Sequence, residues 1–157
     1  MGPRQRPGLM RDRIQQLFPQ LKTAGFEITS PRDPRYNCIA WAAGDTRRWW
    51  WPGEVPFSFW PAGVLREESV ANFIQAFATL GYEPAASGTH DLNYEKLALF
   101  ASADGVPTHM ARQLAQGAWT SKLGTLEDIA HIDVSGISGS DYGEVVTFLQ
   151  RRRPSSI

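Results

Sequence analysis

Residues 108–124 read THMARQLAQGAWTSKLG, two short stretches joined through Gln116 and Gly117. This pattern predicts a β-hairpin, one strand over residues 109–114 and its partner over 118–123. Register then decides the chemistry. Pairing Leu114 with Ala118 sets Ala111 opposite Ser121, on the face of His109, whereas a two-residue turn at Gln116 and Gly117 sets Lys122 there instead.

Upstream of the hairpin, residues 96–102 (KLALFAS) read as a buried strand. Before it, Val70, Phe73, Ile74, Phe77 and Leu80 recur at helical spacing after Glu67 and Glu68, with Gly81 as the stop. Residues 84–93 form a polar connection. Closer to the N-terminus, Pro31, Asp33 and Pro34 disfavour regular structure over residues 29–36, and a short helix spans 38–43 and closes at Gly44. The first element is an amphipathic helix over residues 11–18, with Ile14, Leu17 and Phe18 on one face, Leu21 continuing it and Pro19 ending or bending it.

Downstream, residues 126–131 read as a helical turn, 135–140 as a Gly/Ser-rich loop, and 144–150 as an apolar segment of either type. Arg151, Arg152 and Arg153 read as the start of a solvated basic tail. The expected organisation is a flexible arm over residues 1–10, a single α+β domain over 11–150, and that tail over 151–157. No internal repeat is visible.

The chain has 157 residues, 42% of them hydrophobic and 20% charged, which are the proportions of one folded domain. Lys and Arg number 16, as do Asp and Glu. The zero balance argues against a nucleic-acid or acidic-membrane binder, both of which rely on positive fields. Residues 1–7 are basic and proline-rich but lead into no apolar run of secretory type, and no stretch approaches the length of a membrane helix. The expectation is a cytoplasmic protein, with export by a partner system left open. A single cysteine, Cys38, excludes an internal disulfide and makes a cysteine-based zinc site implausible.

Two residues stand where thiol chemistry needs them. A thiol at a helix start gains from the partial positive charge there, and a histidine on a neighbouring strand can take its proton. Cys38 opens a predicted helix and His109 opens a predicted strand. A third group must orient the imidazole, and Ser121 is the first candidate, with Asp128 the second if the register turns Lys122 inward.

The sequences at 36–43 (YNCIAWAA), 96–101 (KLALFA) and 108–124 carry a resemblance to the NlpC/P60 branch of the papain-like superfamily. The resemblance implies an α+β fold in which N-terminal helices pack on a small antiparallel sheet. It implies a cysteine peptidase or amidase acting on a peptide, an isopeptide or a peptidoglycan stem, with Cys38 as nucleophile, His109 as general base and Ser121, 12 positions beyond it, in the third slot. Asn37 and Ile39 flank the thiol where that family has Asp and Ser. YNCIAWAAGD, WWWP and TSKLG also resemble motifs of a little-characterised bacterial domain family.

Other residues have bland readings beside functional ones. A cysteine followed by Ile39, Ala40 and Trp41 is often a small core residue. Asn37, Trp41, Trp49, Trp50 and Trp51 are candidate substrate-binding residues, because consecutive tryptophans cannot all point inward. Arg47 and Arg48 beside them are too few for a nucleic-acid site. His90 and His131 lack metal-ligand spacing, and Gly136 and Gly139 lack the strand, helix and lysine of a phosphate loop. No metal and no cofactor are expected. The alternative function is a non-catalytic module, or a degenerate hydrolase scaffold, whose aromatic surface holds a partner protein of a toxin or defence system.

Overall fold

The computed structural model describes residues 7–53, 58–123 and 127–154. Among these described residues four helices and seven strands run in the order α1 (Pro7–Leu17), α2 (Leu21–Ala24), β1 (Phe26–Ser30), α3 (Cys38–Ala43), α4 (Val70–Ala78), β2 (Glu83–Ala85), β3 (Tyr94–Ala101), β4 (Pro107–Gln113), β5 (Trp119–Lys122), β6 (Asp128–His131) and β7 (Glu144–Arg152). A 3-10 turn, Val134–Ile137, joins the last two strands.

All seven strands form one antiparallel sheet in the order β1-β6-β5-β4-β3-β7-β2. This overturns the papain-like α+β expectation of helices packed on a small sheet. The sheet is the body of the protein, and short helices dress both of its faces. On one face α3 and α4 bury Ile39, Ala40, Phe73 and Phe77 against Leu97, Leu99, Met110 and Leu149. On the other, α1 and α2 bury Ile14, Phe18 and Leu21 against Ala98, Phe100, Ala111, Trp119 and Ile129. Each of the buried Ile, Leu, Phe and Met side chains contributes about 1.5–3 kcal/mol on leaving water. With both faces covered, β3 reads as a near-continuous apolar run rather than an alternation.

The hairpin forms as expected. Leu114 donates its N–H to the Ala118 carbonyl, and Arg112 pairs with Thr120, so Ala111 stands opposite Ser121. The helix opened by Cys38 also forms as expected. Asn37 accepts the Ala40 N–H as its cap, and Gly44 (φ 82°) closes it by donating to the Ala40 and Trp41 carbonyls. Ser69 caps α4 in the same manner.

Several segments differ from the sequence reading. Helix α1 starts at Pro7, inside the expected arm over residues 1–10, β2 (Glu83–Ala85) enters the expected polar connection over 84–93, and the 3-10 turn Val134–Ile137 enters the expected loop over 135–140. Residues 128–131 are strand β6, not a helical turn, zipped between β1 and β5. Residues 26–30, ahead of the proline-rich loop, form edge strand β1. The basic tail begins later than expected: Arg151 and Arg152 belong to β7, Arg151 pairs with Glu95 at 2.6 Å, and the Arg153 N–H bonds the Asn93 carbonyl. No helix among the described residues is long and apolar enough to cross a membrane.

Candidate functional site

Antiparallel partners share a face, so the register assigns every strand side chain to one side of the sheet. Met110 pairs with Leu99, and Lys122 with Asp128, on the side covered by α3 and α4. His109 pairs with Phe100, on the side covered by α1 and α2. Between Phe100 and Ala101 the register slips by one residue, leaving Thr108 as a bulge in β4. Beyond that bulge, His109 meets the Phe100 ring edge-on at 5.4 Å and stacks on Tyr142 at 4.1 Å.

Cys38 lies in the other layer, packed with Tyr36, Trp50 and Met110. Among the described residues neither ring nitrogen of His109 has a hydrogen-bond partner, the thiol included. The structure therefore puts Cys38 and His109 on opposite faces of one sheet. The remaining two candidates divide in the same way. Ser121 faces the α1 side, where its Oγ lies 2.8 Å from Nε2 of His131 rather than against His109. Asp128 faces the α3 side, where its Oδ2 accepts the Tyr36 hydroxyl at 2.9 Å and also that of Ser30.

Burial sets the electrostatics of each group. It pushes the Cys38 thiol up to about 11, against the opposing pull of the Met110, Ile39 and Cys38 backbone amides and the charge of Lys122. It pushes the His109 imidazole well below its ordinary value, helped by His131. Lys122 is fully buried and its pKa is lowered by desolvation, with Asp128, Asp33 and Cys38 pulling the other way. Its ammonium sits 5.0 Å over the Tyr36 ring. Burial, then the bond to Asp128, holds the Tyr36 phenol up at about 12.

Asn37, Cys38, Trp49, Trp51, Thr108 and Tyr142 line an open cavity of about 280 Å³. Tyr142 thus contributes to the wall over the thiol and also stacks on His109. Thr108 ties it in place, its hydroxyl donating to the Tyr142 carbonyl. The next residue, Gly143, has φ 73°, and a Cβ there would meet the Ala101 carbonyl oxygen at 2.0 Å, so only glycine lets this segment lie so close to β3.

The tryptophan candidates separate by role. Trp49 and Trp51 are partly exposed and wall the cavity, with the Trp51 indole donating to Glu68. Trp50 is a core residue, its indole donating to Asp45 and its ring against Phe59. Asn37 is occupied structurally, accepting from Ala40 and Trp50 and donating to the Trp50 carbonyl. Trp41 lies further along α3, under the guanidinium of Arg112. Tyr142 and Thr108 were not legible as site residues, since a lone tyrosine in a Gly/Ser-rich stretch and a threonine at a strand entrance carry no spacing signal.

A family model described as a domain of unknown function (DUF7689) matches residues 27–150. The chain belongs to this family. The DUF7689 match runs from β1 into β7, so it holds Cys38, His109, Lys122 and Asp128 and leaves α1 and α2 outside. No curated protein and no solved structure matches the chain. Among the described residues no group of three or more His, Cys, Asp or Glu side chains is placed to hold a metal ion.

Proposed function

We propose that this domain is a polypeptide-binding module, with the cavity over Cys38 as its recognition pocket. One observation carries the reading. The thiol stands at the floor of an aromatic-walled cavity while the histidine that would activate it faces the opposite layer of the protein. A protonated thiol beside Trp49, Trp51 and Tyr142 suits an inserted apolar or aromatic side chain, since soft sulfur and ring faces gain from close packing. Exposed aromatic walls of this kind are the usual anchors of protein–protein contact.

A second reading keeps amide hydrolysis with a different base. Three backbone amides act on the sulfur, and Lys122 couples to it through charge. A lysine whose pKa is lowered by burial serves as general base in other nucleophilic sites. This reading dispenses with His109 and replaces it by Lys122.

Alkylation by iodoacetamide across pH separates the two. A recognition thiol reacts slowly at pH 7 and speeds up with rising pH as the thiolate forms near pH 11. Fast alkylation at pH 7 that is lost in Lys122→Met supports the hydrolytic reading and overturns the first. Fast alkylation that depends on His109 overturns both.

A further inference from the structure

At the far end of α3 from Cys38, about 9 Å along the helix axis, a second cavity of about 230 Å³ opens between Gly44, Tyr82 and the ends of β3, β4 and β7. Its charged lining consists of Arg112, Arg151, Arg153 and Glu95. Glu95 is committed to Arg151, which holds it through Nε at 2.7 Å and Nη2 at 2.6 Å. Arg151 also donates to the Leu80 carbonyl, and its guanidinium lies over the Tyr82 ring.

Among the described residues the other two guanidiniums form no ion pair with a carboxylate, although Glu95 and Asp128 act on Arg112 through charge. Arg112 lies on the Trp41 ring at 4.2 Å and gives one long bond, 3.3 Å, to the Trp41 carbonyl. Arg153 reaches the Leu92 and Tyr94 carbonyls. Burial lowers the pKa of Arg112, the sign of a cation held partly out of water without full compensation. Among the described lining residues, three cations and one anion leave a surplus of two positive charges. Arg112 and Arg153 each keep guanidinium N–H groups that no described residue accepts.

We propose that this cavity is an oxyanion site for the phosphoryl group of a small phosphate monoester. A dianion matches the two unbalanced charges. Its tetrahedral oxygens can accept from both forks at once, the geometry in which arginine outperforms lysine. The planar surfaces of Trp41 and Tyr82 already hold two of the arginines from behind, so little side-chain entropy is lost on binding. The α3 carboxyl end nearby would weigh against an anion, but Gly44 already caps its Ala40 and Trp41 carbonyls.

The test is a titration of the intact protein with inorganic phosphate at constant ionic strength, read from arginine Nε–H resonances. Succinate serves as the dicarboxylate arm and chloride as the control. Saturable binding with a dissociation constant of about 1 mM or tighter is expected, with Arg112 and Arg153 signals moving together. Arg112→Gln and Arg153→Gln should each weaken it about tenfold or more, while exposed Arg32→Gln leaves it unchanged. Because Arg112 also packs on Trp41, Arg153→Gln is the safer variant, with the tryptophan emission of each protein reporting whether it is folded. Tighter binding of succinate than phosphate overturns the phosphoryl assignment. Non-saturating shifts, or equal losses in Arg32→Gln and Arg153→Gln, overturn the site.

Discussion

Asp128 on one face of the sheet and His109 on the other are buried to the same depth and treated differently. On the α3 face, Asp128 is 1% exposed and takes hydroxyl bonds from Tyr36 and Ser30 beside the Lys122 ammonium. On the α1 face, His109 is wholly buried, pressed between Phe100 and Tyr142, with neither nitrogen bonded to a described residue. The contrast follows from the charge each group must carry. A buried carboxylate opposite a lysine has to be compensated, whereas an imidazole escapes the Born cost by staying neutral. Asp128 therefore belongs to a connected polar network, with only its Oδ1 left without a partner among the described residues, whereas His109 is a tolerated defect beside the bonded Ser121–His131 pair.

Breaking the network should give the largest effect. Asp128→Ala removes the acceptor of two hydroxyls and the nearest countercharge of Lys122, an expected loss on the order of 3–5 kcal/mol in urea unfolding. Asp128→Asn keeps an acceptor and should lose clearly less. If Asp128→Ala costs under about 1 kcal/mol, the polar groups of this face are balanced by other partners and the contrast between the faces dissolves.

The thiol gives the next largest effect, and its sign can be worked out. The folded-state pKa of Cys38 is raised from 9.0 to about 11. Its contribution to stability is therefore fully present below pH 9 and lost as pH climbs through 11, a change on the order of 2–3 kcal/mol. Cys38→Ala should flatten the alkaline limb of the stability profile. An unchanged limb would mean that the sulfur is not held in a desolvated place.

These faces also mark where the sequence stopped being informative. The helix at Cys38 and the hairpin at Gln116 and Gly117 were legible because caps and turns are local chemistry: Asn37 before the helix, Gly44 after it, Gly117 in the turn. The side of the sheet that His109 takes was not legible. With helices on both faces, Met110 and Ala111 are equally buried, so alternation carries no sign, and the Thr108 bulge alters the phase just ahead of the histidine. Four residues at 128–131 are too few to separate strand from helix by period. The arginines at 151–153 read as solvated because charge pattern alone does not reveal Glu95, fifty-six positions before Arg151, or the Tyr82 ring that the Arg151 guanidinium covers. Of the four catalytic candidates read from the sequence, Cys38 and Asp128 reached one face, and His109 and Ser121 reached the other.

The smallest expected effect has the opposite sign, and it tests the defect directly. His109→Phe keeps a ring for Tyr142 to stack on and removes two nitrogens that no described group satisfies, so stability should rise by about 1–3 kcal/mol at pH 7. Acid unfolding sharpens the point. The pKa of His109 is depressed, so its neutral form supplies stability that is present above its unfolded value, about 6.5, and drains away as pH falls below it. His131 is depressed too, by burial first, and contributes in the same direction. The wild-type protein should therefore lose stability in acid more steeply than His109→Phe, by up to about 1.4 kcal/mol per pH unit for the one proton removed. Equal acid slopes, together with a loss of stability at pH 7, would mean that the imidazole is bonded in solution. A histidine so bonded on the α1 face would be a working part of the protein rather than a tolerated one, and its partner would then have to be sought beside Tyr142.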